Sequence, residues 1–317
     1  MEILDFFRVN FESISNNTDY KIAEFSHNFY IGIDRDKNIV VVIKTNSRND
    51  RPYNVNTKSL SLECNVKVCF SNGTEESVHI LKCLLHAKRE KEIFLELVKL
   101  FITDDYSDKH IINTFDVLQS FFSNRNELSD KELIGFYAEL YTIYKFHDVL
   151  CIEKYWQIKD RMKFDFSFTE KLKLEIKATT KENRIHHFKH EQLNSNYFEI
   201  FILSYLFRYD DLGFSLYDLV EKVKPILLND AERYLRLLYI EKNTNVDRLK
   251  KLKFNQIFTD KQMHLYNAND IPKFSDLTPD GVYRVEYDCS LEKINTVDID
   301  DFFEVVRQRL AEELQHN

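Results

Sequence analysis

The sequence predicts an α/β protein whose core runs α-β-β-β-α-β between an antiparallel, β-rich N-terminal unit and an α+β C-terminal segment. Three observations carry this expectation. Strand-like apolar runs separated by turn chemistry fill the chain to about residue 87. The signature Ser129-Asp130-Lys131-Glu132 stands directly before an apolar run of helical spacing. Two adjoining segments at 163–168 and 172–177 then alternate strictly between apolar and polar residues, ahead of an apolar run at 197–207.

The first expected domain, residues 1–103, joins the β-rich unit to a helical connector. Runs at 29–33, 39–43, 66–70 and 78–81 read as strands, with turns at Asp34-Arg35-Asp36-Lys37-Asn38 and Ser71-Asn72-Gly73. Helical spacing follows in Ile93, Phe94, Leu97, Val98, Leu100 and Phe101, and again in Ile111, Ile112, Phe115, Leu118 and Phe122. The second domain, 104–211, holds the core. Its long helix starts at the Ser129 capping box and carries Leu133, Ile134, Tyr137, Leu140, Tyr141 and Tyr144. Strands are expected at 155–158, 163–168 and 172–178, a polar helix at 184–193, and a buried strand at 197–207. The third, 212–317, reads as helices at 217–227 and 231–239, strands at 255–258, 263–266 and 282–287, and a last helix at 299–314. Asp298, Asp300 and Asp301 open that helix, where negative charge suits the dipole, and carry no functional weight.

Composition narrows the function classes. With 317 residues, 44% hydrophobic and 14% aromatic, the chain can bury a sizeable interior. No apolar run approaches the roughly 20 residues a membrane span needs, and the start lacks a secretory pattern, so no membrane partner and a cytoplasmic location are expected. Five scattered cysteines without a CxxC pair argue against a disulfide framework or a zinc ribbon. A net charge of -8 speaks against non-specific coating of nucleic acid but leaves room for a local basic cleft.

The chemistry concentrates in the two alternating segments. Lys163, Asp165 and Ser167 share one face, and Lys173, Glu175 and Lys177 share another. If Thr169-Glu170-Lys171 is a three-residue hairpin loop, Phe168 pairs with Leu172, which sets Asp165 opposite Glu175 and Lys163 opposite Lys177. A slip of one residue would separate the two acids onto opposite faces. Like charges facing each other on a sheet cost stability, and a cation offsets that cost. Mg²⁺, or Mn²⁺ in its place, suits a site of Asp165, Glu175 and the carbonyl of Ile176. Lys177 can hold the attacking water or neutralise charge on a phosphate, which points to phosphodiester hydrolysis.

These residues resemble the PD-(D/E)xK nuclease superfamily, whose signature is an acid on one strand and D/E-x-K on the next. More narrowly, Gly135-Phe136-Tyr137-Ala138-Glu139-Leu140, Trp156, Asp165, Glu175-Ile176-Lys177 and Glu191-Gln192-Leu193 resemble a bacterial group linked to restriction and phage-defence gene clusters. The resemblance is best over 129–207 and implies a restriction-endonuclease-like core with a central mixed sheet flanked by helices. It implies Asp165 and Glu175 as metal ligands, Lys177 as catalytic lysine, Glu139 turned toward the metal from the first core helix, and Gln192 as the polar residue of the second. The signature proline is replaced by Phe164, and Asn196 stands where exonuclease-like branches carry a tyrosine, which favours endonuclease action.

The expectation is therefore a Mg²⁺-dependent DNA endonuclease serving a restriction-like or phage-defence system, with other defence proteins as partners and a homodimer if it makes paired cuts. Lys181, Arg184 and Lys189 form a basic strip for phosphate, which Lys163 joins and Lys159 and Arg161 extend. Two rivals stand beside it. One is a non-catalytic DNA-binding or scaffolding subunit that keeps the fold. The other is a zinc protein built on His186 and His190, four residues apart on a helix face, although no HExxH glutamate lies between them.

Overall fold

The computed structural model describes residues 3–11, 20–45, 52–101, 107–123, 127–157, 163–274, 282 and 284–316. They divide into two units, Met1–Asn126 and Glu127–Asn317. The first contains α1 (Ile3–Phe11), strands β1 (Tyr20–Ser26), β2 (Phe29–Asp34), β3 (Ile39–Lys44), β4 (Tyr53–Asn56), β5 (Leu60–Cys69) and β6 (Glu75–Cys83), then α2 (Lys88–Phe101) and α3 (Asp108–Ser123). The strands form one antiparallel sheet in the order β1-β2-β3-β6-β5-β4. The run Ile39-Val40-Val41-Val42-Ile43 is buried on both faces, as its central position requires. The β2–β3 turn is set by Asp34, whose Oδ1 accepts the N–H groups of Asp36 and Asn38.

The second unit opens with α4 (Asp130–Leu150), started by the expected capping box: the Ser129 N–H donates to Glu132 Oε2 at 2.8 Å and the Glu132 N–H to Ser129 Oγ at 3.3 Å. A 3-10 turn (Ile152–Tyr155), β7 (Phe166–Ser167), β8 (Leu172–Thr179), β9 (Ile185–Lys189), α5 (His190–Leu193) and β10 (Glu199–Leu206) follow. The chain continues through β11 (Tyr209–Ser215), α6 (Leu216–Leu227), α7 (Ala231–Lys242), α8 (Val246–Lys251), β12 (Lys253–Phe254), α9 (Gln256–Lys261), β13 (Met263–Asn267), β14 (Glu286–Ser290) and α10 (Ile299–His316). The central sheet, ordered β13-β10-β8-β7, is mixed, with β10 parallel to β8 and the outer pairs antiparallel.

Several expected elements take another form. The strand at 155–158 is reduced to a single bridge between Trp156 and Phe166, because Ile152–Tyr155 winds as a 3-10 turn; Ile158 lies outside the described residues. The polar helix at 184–193 is instead strand β9, paired with β14, followed by one helical turn. Its alternating burial, with His186 and Phe188 inside and His187 and Lys189 outside, has the period of a strand. The strand at 255–258 is helical, because the Asn255 side chain caps α9. The C-terminal residues share the second unit with the core, since β13 adds an edge to its sheet, while α3 belongs to the first unit.

Alternation along β8 separates packing from chemistry. Leu174, with Phe201 and Leu203 of β10, meets α4 and α10: Thr142 Oγ1 lies 2.9 Å from the Tyr205 hydroxyl, and the Phe201 and Phe302 rings are 4.8 Å apart. Behind the other face lies a cluster of Phe164, Phe188, Leu193, Ile200, Ile202 and Tyr266. Glu175 and Lys177 project onto that side.

Candidate active site

The β7–β8 hairpin has the register its loop predicts. Phe166 pairs with Leu174 and Ser167 with Lys173, and the Phe168 N–H donates to the Leu172 carbonyl at 3.0 Å. Lys173 is tied into the tip by Thr169 O at 2.7 Å. The ladder stops one step short of Asp165 and Glu175. In a continued ladder the Ile176 N–H would reach the Phe164 carbonyl; it donates instead to Asp165 Oδ2 at 2.7 Å, while the Asp165 carbonyl accepts from the Gln157 N–H at 2.8 Å. The expected pairing of Lys163 with Lys177 is therefore absent, and Lys163, exposed, forms an ion pair with Glu191 at 2.9 Å. This opening turns the Asp165 carboxylate toward the backbone beside Glu175.

Lys177 Nζ lies 2.8 Å from Glu175 Oε1 and donates to Gln192 Oε1 at 3.1 Å. The Gln192 amide donates to the same Glu175 oxygen, and its carbonyl also accepts the Lys189 N–H at 3.1 Å. Gln192 thus closes a triangle with Glu175 and Lys177 from α5. The Lys177 ammonium also sits 5.2 Å from the Phe188 ring centre, where the ring face favours a cation.

Glu139, buried on α4, accepts hydrogen bonds at Oε2 from the indole N–H of Trp156 and from Arg236 Nη2, both at 2.7 Å. The Arg236 guanidinium lies over the rings of Trp156 and Phe136, at 4.8 and 5.4 Å. Arg236 lies 97 residues from Glu139, so no local spacing in the sequence signals the pairing.

Dehydration, then the charges of Glu175 and Glu139, push the Asp165 carboxyl well above the ordinary carboxylate range, against the Ile176 N–H and Lys177. Dehydration raises Glu175 as well, although Lys177 beside it pulls the other way. The Glu139 charge thus opposes ionisation of both Asp165 and Glu175, and the Glu175 charge opposes that of Asp165. Oxygen donors in a carboxylate-rich, dehydrated pocket suit a hard divalent cation, whose charge would relieve that opposition.

The residues expected in a basic strip take different places. Lys181 and Lys189 are exposed. Arg184 is 5% exposed, and its guanidinium donates to the Ser204 carbonyl at 2.9 Å, Ser204 Oγ at 2.8 Å and the Gln262 carbonyl at 2.8 Å. Arg184 is therefore an internal strut between β10 and the residue that ends α9, not a phosphate contact; it stands just before β9 in phase with buried His186 and Phe188. His186 and His190 do not share a helix face, because one lies on β9 and the other opens α5. Buried His186 meets Ser204 Oγ at 2.7 Å and His190 meets Asn194 at 2.9 Å, so the ligand pair that the rival zinc reading needs is not formed. Lys159 and Arg161 lie outside the described residues.

A mixed sheet with an acid at the mouth of one strand, E-x-K on the next and helices on its faces defines a nuclease-like α/β fold. The chain matches, over residues 11–292, the family described as "Putative PD-(D/E)XK family member, (DUF4420)", and it belongs to that family. The PD-(D/E)XK superfamily consists in general of nucleases, which typically use divalent metals. Neither the curated proteins nor the solved structures compared with the chain include a match. No helix among the described residues is long and apolar enough to cross a membrane.

Proposed function

We propose that the protein is a metal-dependent DNA endonuclease, with Asp165, Glu175 and the Ile176 carbonyl as the oxygen donors for Mg²⁺ or Mn²⁺. The observation that carries the reading is the lysine two residues after Glu175, bonded to that glutamate beside an Asp165 carboxyl that burial and then neighbouring carboxylates push up. The Ile176 N–H points to Asp165, and the carbonyl of a strand residue points to the same side as its N–H, so it too faces the opening. A bound ion would supply Lewis-acid polarisation of the scissile phosphate and a more acidic water.

The remaining work falls to this chain's own groups. Lys177 orients the attacking water and offsets charge that develops on the phosphate. Gln192 fixes the Lys177 ammonium and the Glu175 carboxylate relative to each other. Glu139, held by Trp156 and Arg236, would add a further carboxylate for a bound ion. Exposed Lys163, Lys181 and Lys189 meet DNA phosphates. The resemblance of 129–207 to a group linked with restriction and phage defence supports service in such a system with partner proteins; paired double-strand cuts would need two copies.

Cleavage of plasmid and linear DNA with Mg²⁺, Mn²⁺ or EDTA tests the reading. Cleavage is expected with metal, not with EDTA, and is lost in Asp165→Ala and Lys177→Ala with folding and DNA binding intact. DNA binding without cleavage under every metal condition would overturn it in favour of a scaffolding subunit.

A further inference from the structure

Among the described residues, a second cluster of metal-ligating side chains lies at the far end of α4, built from His147, Cys151 and Glu153. Their ligand atoms all lie within 4.8 Å of one another. His147 and Cys151 are four residues apart, so the last turn of α4 stacks them on one side. Cys151 then takes a left-handed conformation, φ 51° and ψ 47°, at a helix end where glycine or asparagine is the usual residue. That reversal winds the chain into the 3-10 turn and returns Glu153 beside His147, with His147 Nδ1 2.9 Å from Glu153 Oε2.

We infer that His147, Cys151 and Glu153 form a binding site for one thiophilic divalent cation of the zinc class. The donor set decides the class. A thiolate, an imidazole and a carboxylate suit Zn²⁺, whereas Mg²⁺ takes oxygen ligands, so this site and the carboxylate pocket select different ions. Size agrees: zinc bonds of about 2.0–2.3 Å place ligand atoms about 3.5 Å apart, inside the spread observed. Glu153 is 6% exposed, and the partner of its buried carboxylate is the imidazole of His147, so a cation shared between them adds charge compensation that one imidazole supplies incompletely. His147 and Cys151 are partly exposed, which gives the ion a path in and leaves its fourth position to water. Bound there, the ion pins the end of α4 to the turn that leads, three residues after Glu153, to Trp156.

The test is titration of the metal-free full chain with Co²⁺, followed by absorption, in a Cys69→Ser background, which leaves Cys151 as the cysteine open to solvent because Cys64, Cys83 and Cys289 are buried. One equivalent is expected to produce tetrahedral d–d bands and a thiolate-to-cobalt charge-transfer band, both displaced by Zn²⁺, and Zn²⁺ should raise the melting temperature. Cys151→Gly suits the left-handed backbone and should fold, yet lose the charge-transfer band and the Zn²⁺ shift. His147→Ala should weaken the affinity at least tenfold. Asp165→Ala should leave all of these signals unchanged, which separates this site from the proposed nuclease centre. No thiolate band in the parent chain, or a band that survives Cys151→Gly, would overturn the assignment.

Discussion

Asp165 completes the hydrogen bonding of Ile176 with its side chain rather than through the strand ladder, accepting the Ile176 N–H at Oδ2 at 2.7 Å. One bond thereby fixes the carboxylate beside Glu175 and ends the hairpin where the pocket begins. The arrangement costs stability in the absence of a cation, because Asp165 ionises against dehydration and then against the charges of Glu175 and Glu139.

Asp165→Asn should therefore stabilise the metal-free protein. The folded-state pKa is raised above the ordinary 3.8, so stability falls as pH rises through that interval and the loss persists above it. Asparagine keeps an acceptor for the Ile176 N–H and removes the charge. In EDTA near neutral pH, urea unfolding should show a gain on the order of 1 kcal/mol. Mg²⁺ should stabilise the parent chain and not the variant. A loss of stability in EDTA would contradict a cost of ionising Asp165 in the fold.

Lys177→Met should remove the cleavage activity proposed above, by roughly 10²–10⁴-fold, with far-UV circular dichroism unchanged. Gln192→Ala should cost less, about tenfold, because Gln192 acts through Lys177 and Glu175. Single-turnover rates at saturating metal separate the two, and equal losses would place Gln192 in direct contact with the reacting groups.

The hairpin was legible in sequence because its parts are local. Thr169-Glu170-Lys171 sets the loop, strict alternation sets the faces, and the register at Phe166 and Leu174 follows by counting. Ser129 and Glu132 likewise announced α4. Where the ladder ends was not legible, because the break at Asp165 depends on the Gln157 N–H reaching its carbonyl across the sheet edge. Strand β9 reads as a helix in sequence because its partner β14 begins only at Glu286, and that pairing is what turns Arg184 and His186 inward. Arg236 was invisible for a similar reason: its meaning lies in Trp156 and Glu139, which are brought to it by tertiary packing.

Arg236→Met should lower cleavage by about 10–100-fold while leaving the Trp156 bond to Glu139 in place. Since Arg236 acts through Glu139, the effects of Arg236→Met and Glu139→Gln should not add. The double variant should be close to Glu139→Gln alone. Additive losses in a double-mutant cycle on cleavage rate would give Arg236 an independent role, such as a phosphate contact.

Replacing Arg184 should behave as a core mutation. Arg184→Ala leaves the carbonyls of Ser204 and Gln262 without their donor, at a cost of about 2–4 kcal/mol in urea unfolding, with little change in DNA affinity of the folded protein. Lys181→Ala with Lys189→Ala should do the reverse, weakening DNA binding and reducing the salt slope of log K by about 1–2 with stability unchanged. Binding isotherms at several salt concentrations distinguish the two classes of cation.

His186 makes the second unit acid-sensitive. Its ring is 4% exposed, Nε2 lies 2.7 Å from Ser204 Oγ, and the same oxygen accepts from the Arg184 guanidinium at 2.8 Å. Dehydration, then the charges of Arg184 and Lys177, lower its pKa from 6.5 to about 3. The unfolded chain therefore binds a proton that the folded chain refuses. The stability contributed by neutral His186 is fully present above 6.5 and is lost as pH falls toward about 3. Near pH 5 the loss amounts to about 2 kcal/mol, taking about 1.4 kcal/mol per pKa unit. Asp165 and Glu175, whose raised values favour the protonated fold, act in the opposite direction. His186→Gln keeps a hydrogen-bonding side chain without a basic nitrogen, and it should flatten the decline in urea midpoint between about pH 7.5 and 5. An identical decline in both proteins would mean that the imidazole is protonated within the fold, and the packing of Arg184 against Ser204 would then have to open to admit it.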